Sequence, residues 1–152
     1  MKFILAFSVL LTLALACSPK YRSERERAEA LAHEEKYIEA IEAYTLHMNQ
    51  RGSSKSKPPE ENPSFYFLMI GDLYLRQENP DAALESYLRA KTDGVSPGLV
   101  SERIRRLADW YASHQRLEQA FEILQKYREL DPLLYDADAD RLHKSLIEQL
   151  DD

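Results

Sequence analysis

Apolar side chains first run almost unbroken from Phe3 to Ala16, and the run stops at the polar stretch Ser18-Pro19-Lys20-Tyr21-Arg22-Ser23. A helix needs roughly twenty such residues to cross the hydrocarbon core, so this run is too short for a permanent span and fits the apolar part of an export signal. From Ser23 onward the pattern changes. Apolar residues recur at helical spacing in segments of about thirteen to sixteen residues, each bounded by residues that favour a helix start. The predicted starts are Ser23 with Glu26, Asn62-Pro63, Asn79-Pro80, Ser101 and Asp131-Pro132. Glu, Leu, Ala, Arg and Lys are abundant, glycine is scarce, and no alternating β-branched run of useful length appears, so helices and no strands are expected. The segments fall in pairs, which predicts successive helical hairpins.

Three stretches can be laid over one another: Lys36–Tyr44 (KYIEAIEAY), Asn79–Tyr87 (NPDAALESY) and Arg116–Leu124 (RLEQAFEIL). Each places an alanine (Ala40, Ala83, Ala120) four residues before a large side chain (Tyr44, Tyr87, Leu124). Twelve residues upstream of these alanines stand the small residues Ala28, Gly71 and Ala108, and nine upstream stand Leu31, Tyr74 and Tyr111. This arrangement resembles the tetratricopeptide repeat, in which small residues let paired helices approach and larger ones fill the gap to the next pair. Leu130-Asp131-Pro132 falls where the family pattern has its terminal proline.

The resemblance implies an all-α, right-handed helical repeat stack: three repeats at about 22–50, 63–92 and 99–131, then a capping helix at 132–152 whose polar outer face ends the array. The alanines are separated by 43 and 37 residues, where the family repeats at about thirty-four. The excess falls in a loop over 51–62, polar and proline-rich, and in a shorter insertion from Thr92 to Gly98. Glu24 and Arg27 stand where the family prefers large apolar residues, which makes the first helix the weakest match. The cap is expected to turn Leu133, Leu134, Leu142, Leu146, Ile147 and Leu150 to one side.

The chain holds a single cysteine, and in an exported protein a lone cysteine calls for an outside partner or a modification. It sits at the end of Leu13-Ala14-Leu15-Ala16-Cys17, which resembles the lipobox of bacterial lipoproteins. That resemblance implies a signal peptide over 1–16, a covalent lipid on Cys17, a short tether over 17–21 and anchorage in the cell envelope. Two or more acyl chains hold a protein far more firmly than one. Serine at position 18 points to the outer membrane, facing the periplasm.

Loss of residues 1–16 would remove one charge, Lys2, and make the net charge of −6 one unit more negative. An acidic balance argues against nucleic acid as a partner, because phosphate binding draws its affinity from clustered Lys and Arg. Catalytic signatures are wanting. His33, His47, His114 and His143 show no metal-ligand spacing, and no phosphate-binding glycine loop or serine elbow occurs. Asp136-Ala-Asp138-Ala-Asp140 begins like a calcium loop but has Arg141 where glycine is required and Ile147 where the bidentate glutamate should fall, so these are read as acids near a helix start. Tyr44, Tyr74, Tyr87, Tyr111 and Tyr127 are read as core. No enzyme activity and no cofactor beyond the lipid are expected.

In the resembled family, the first helices of successive repeats line a groove for an extended peptide or a partner's helix. Carried over position by position, the groove-facing set is Arg25, Glu29 and His33, then Phe65, Leu68, Asp72 and Arg76, then Arg105, Asp109 and Ala112. Phe65 and Leu68 would be the anchors and the arginines the orienting donors. The plainer alternative is a set of solvated residues with the two apolar ones covered by the preceding loop. The lysine and asparagine pattern that clamps chaperone C-termini is missing. The resemblance thus implies a membrane-anchored scaffold or adaptor for protein partners in the envelope, an assembly or secretion accessory of pilotin-like kind. A periplasmic binding module for a small molecule or lipid, or a non-catalytic subunit of an envelope enzyme complex, is the alternative.

Overall fold

Ser23 opens the first helix by accepting a hydrogen bond from the Glu26 amide at 3.1 Å, satisfying one of the amides that a helix start leaves unpaired. Asn79 does the same for Ala82 at 3.2 Å, with Pro80 in the first turn. The computed structural model describes residues 21–53 and 62–150, and within them the chain is all-helical with no strand. Its helices are α1 (Glu24–His33), α2 (Tyr37–Ser53), α3 (Tyr66–Arg76), α4 (Pro80–Thr92), α5 (Pro97–Ser113), α6 (Leu117–Lys126) and α7 (Pro132–Leu150). One-turn 3-10 segments, Pro63–Phe65 and Arg128–Leu130, lead into α3 and α7. The signal segment, Cys17 and loop residues 54–61 lie outside the described residues.

Two boundaries differ from those expected. Ser101 does not start a helix: α5 begins four residues earlier at Pro97, behind an extended Ser96. The fixed φ of proline suits a first helical position, whereas Ser101 is buried and its carbonyl accepts the Tyr135 hydroxyl at 3.3 Å. Helix α2 also runs on through Arg51 to Ser53, because a solvent-facing last turn needs no apolar face to persist.

The turns that close the hairpins are copies of one another. Glu35, Glu78 and Gln115 each take positive φ, at 58°, 57° and 59°. The residue after each donates back across the turn: Lys36 to Leu31, Asn79 to Tyr74 and Arg116 to Tyr111, all at 2.9 Å. This is the six-to-one closure that ends many helices, normally with glycine at the left-handed position. Gly94 fills that role between α4 and α5, with Val95 donating to Ala90 at 2.9 Å.

Within each hairpin α1 packs on α2, α3 on α4 and α5 on α6. Neighbouring hairpins meet through α2–α3 and α4–α5, α7 packs on α6, and α3 touches α5 as α5 touches α7. The alanines Ala28, Ala40, Ala83, Ala108 and Ala120 are all buried, so the small-residue columns lie inside the packing. A close approach falls at Gly71, where an added Cβ would stand 2.3 Å from the Tyr87 ring.

Two apolar clusters result. One joins α1, α2 and α3 around Ala40, Tyr44, Ile70 and Leu73. The larger spans α3 to α7 around Tyr87, Ile104, Leu107 and Leu124. Helix α7 enters it through Tyr135 and Leu142, while Leu133, Leu134 and Ile147 are exposed. The expected inner face of the cap is therefore corrected: Tyr135, Asp138 and Leu142, three and four residues apart, form the inward stripe.

Candidate functional site

Helices α1, α3 and α5 stand side by side and leave adjoining concavities along one face. Between α1 and α3 a notch of about 180 Å³ has Glu29 and His33 on one side, Met69 and Arg76 on the other, and Tyr44 and Leu73 at its floor. Between α3 and α5 an opening of about 420 Å³ is bordered by Leu75 and Arg76 on α3 and by Arg106, Trp110 and His114 on α5. A third, of about 590 Å³, lies toward the hairpin turns between Tyr37, Ile38, Gln77 and Glu78, again with Arg76 on its border. Arg76 is common to all three.

Asp72 fixes the ridge between the first two concavities. It accepts the Tyr87 hydroxyl at 2.9 Å and the Arg103 guanidinium at 3.0 Å, tying α3 to α4 and α5 together. Burial, followed by the Asp72 carboxylate, pushes the Tyr87 phenol far above its ordinary value, so Tyr87 is a constant donor to Asp72. At the floor of the notch, burial and then the nearby Glu29 carboxylate push the Tyr44 phenol up to about 12, which keeps it neutral at physiological pH.

The second opening has an aromatic wall. Trp110 stacks against His114 at 3.9 Å between ring centroids. The Arg116 guanidinium lies 5.9 Å from the Trp110 ring and 4.6 Å from that of Tyr111, within the range in which a cation is attracted to an aromatic face. Arg106 is held by Glu102 at 2.6 Å. Arg76 differs: among the described residues its guanidinium makes no hydrogen bond or ion pair.

The residues expected to line one groove divide into several groups. Arg25 and Glu29 form an exposed pair at 3.5 Å, Glu29 and His33 border the α1–α3 notch, and Asp72 and Arg76 border both first concavities. Phe65 is exposed in the 3-10 segment before α3 and borders none of the three concavities. Leu68 is wholly buried in the larger cluster and is a core residue, not a surface anchor. Arg105 and Asp109 face α7: Arg105 donates to Asp138 at 2.5 Å and Arg141 to Asp109 at 2.7 Å. Ala112 packs half-buried against the same cluster. On α5 the open strip is therefore one position further on, at Arg106, Trp110 and His114, because α7 covers the neighbouring strip. One residue turns the face by about 100°.

Sequence reasoning named neither Met69 nor Leu75, read Tyr44 as core, which its burial matches, and took Trp110 as partly covered beside Tyr111 rather than as part of the face. The spacing of Arg106, Trp110 and His114, four residues apart, marks them as one helix face, and that was the available signal for Trp110. The acids of 136–140 are spread along α7: Asp136 pairs with Arg128 at 2.5 Å and Asp138 with Arg105 and Arg141. Among the described residues no group of three His, Cys, Asp or Glu side chains is placed to hold a metal ion, and no helix is long and apolar enough to cross a membrane. What the face offers is an apolar and aromatic floor with fixed charges on its ridge, able to hold a side chain of mixed character. Neither a protein-family model nor a curated protein matches the chain.

Proposed function

We propose that this chain is a lipid-anchored adaptor of the bacterial envelope, with three tetratricopeptide-like repeats that hold a protein partner across the open face of α1, α3 and α5. The observation that carries the reading is the threefold recurrence of one hairpin. The left-handed residue falls at Glu35, Glu78 and Gln115, five residues before the buried Ala40, Ala83 and Ala120. A stack of such units exposes its first helices as a continuous surface, and extended surfaces of this kind serve as binding platforms. The anchor rests on Cys17 and the apolar run before it, and the outer-membrane, periplasm-facing location rests on Ser18.

A small-molecule module fits less well. The best-enclosed concavity, at about 180 Å³, is below the roughly 300–1,000 Å³ of typical ligand pockets, and the larger ones are open on one side.

The test is photo-cross-linking in intact cells with a reactive residue at Leu75 in the groove or at Lys144 on the outer face of α7, together with the mass of the N-terminal peptide. The adaptor reading expects a defined envelope protein captured from Leu75 and not from Lys144, and acyl mass on a peptide beginning at Cys17. An unmodified N-terminus removes the anchor. The same background from both positions removes the adaptor.

A further inference from the structure

We propose that the segment this face receives carries a carboxylate close to a large apolar side chain, the carboxylate taken by Arg76 and the apolar group laid against Leu75 and Trp110. This rests on the adaptor reading and names the chemistry of the partner.

The charges select the sign. Several of the other charged groups on the α1–α3–α5 ridge are answered within the chain. Glu29 is paired with Arg25, Asp72 with Arg103 and the Tyr87 hydroxyl, and Arg106 with Glu102. Arg76, at the meeting of three concavities, has no such partner among the described residues. A guanidinium offers five donors in a fixed fork that matches a carboxylate. Arg116, 5.9 Å from the Trp110 ring centroid, places a second positive charge beside the aromatic wall. Glu78, on the border of both larger openings, makes no ion pair among the described residues, so the fitting segment carries one acid rather than an acidic run.

Apolar contact is offered next to the cation. Leu75 and the half-buried Trp110 border the same opening as Arg76. Tryptophan and arginine are the side chains most often found at the energetic centre of an interface. The spacing suits a helix or a strand, since both can place an acid and an apolar residue two to four positions apart on one side.

The experiment uses the full-length chain in detergent, immobilised and presented with a random dodecapeptide display library. Enriched peptides are then titrated while the fluorescence of Trp110, the single tryptophan, is followed. The expected result is enrichment of Asp or Glu within four positions of Leu, Ile, Met or Phe, with a shift of Trp110 emission on binding. Exchanging that acid for its amide should weaken binding by about tenfold or more, as loss of a charge-assisted hydrogen bond does. The same exchange should change binding less than twofold in Arg76→Gln, and Arg76→Glu should select Lys or Arg instead. Arg76 is exposed at the end of α3, and circular dichroism verifies that both variants stay folded. Apolar peptides without an acid, an acid effect indifferent to Arg76, or an empty selection overturns the proposal. So does dimerisation of the chain abolished by Arg76→Glu, which assigns the face to a second copy. The cellular cross-link from Leu75 decides the adaptor reading separately, so the two can fail independently.

Discussion

The two ends of the inner face are built from equivalent positions and are finished differently. At the α1–α3 end, Glu29, His33 and Arg76 border an open notch whose floor is Tyr44. At the α5–α7 end the corresponding strip is closed: Arg105 is bonded to Asp138, Asp109 to Arg141, and Arg141 also to Asp138. The difference is not one of charge content, since both ends carry acids and bases in mixture. It lies in whether another helix brings complementary charges to the strip. Helix α7 does so, and its Tyr135 and Leu142 anchor the contact in the larger core, so the Arg105–Asp109 strip of the third pair is spent on internal packing while its Arg106–Trp110 strip and the first two pairs remain available. A helix seated on the last pair completes the core and shortens the open face together.

The comparison can be broken hardest at the residue both ends depend on. Tyr87 has no exposed surface, packs on Gly71 and anchors Asp72. Tyr87→Ala is expected to cost about 3–5 kcal/mol, as large aromatic truncations in a core do, and to bring the urea midpoint down sharply. A loss below about 1 kcal/mol would show that the ridge does not depend on it.

At the closed end, burial pushes the Asp138 carboxyl up but the hydrogen bonds from Arg105 and Arg141 outweigh it and hold it below the ordinary carboxylate range. Asp138→Ala should cost about 2–4 kcal/mol by leaving Arg105 half-buried without its partner, and should speed amide exchange in α7 before α3. The sign of the pH effect follows from the lowered value. The contribution is fully present above the ordinary aspartate range and fades as the pH falls through the folded-state value. Asp138→Asn should therefore flatten that part of the acid unfolding curve, and an unchanged curve would remove the carboxylate from the account.

The turns, equal in all three hairpins, sharpen the comparison in the other direction. Replacing Glu35, Glu78 or Gln115 by glycine should stabilise each by about 0.5–1 kcal/mol, because glycine takes positive φ without the Cβ penalty. Thermal unfolding should register three rises of similar size, and a fall at one turn would mean that its side chain has work to do. The smallest effect is expected at the open end. Arg25 and Glu29 are exposed and paired at 3.5 Å, so Arg25→Ala should move stability by less than about 0.5 kcal/mol. That contrasts with Asp138 and would be checked in the same denaturation series.

Much of the architecture was legible because it is local. Ser23, Asn79 and Asp131 mark helix starts through their own side chains, and Ala28, Gly71 and Ala108 announce close contacts by being small. Leu68 was misplaced because its column gives the phase along α3 but not which side of that helix the larger cluster would cover. The shift from Arg105 and Asp109 to Arg106 and Trp110 has the same origin. The cap was read from its leucines, yet Tyr135 and a paired Asp138 form its inner stripe, since a buried carboxylate is tolerable only where Arg105 and Arg141 reach it.

By itself, then, the sequence determined that the described chain is helical, where most helices begin, and which small residues pack inside, all through interactions spanning a few residues. Only the tertiary structure decided that α7 closes one end of the face, that Trp110 walls the opening between α3 and α5, and that Arg76 has no hydrogen-bond or ion-pair partner among the described residues. Those outcomes depend on how helices rotate about one another and on charge pairs formed across some thirty residues, as Arg103 with Asp72 and Arg105 with Asp138 are. Periodicity fixes a residue's place on its own helix, but not which neighbour that face will meet.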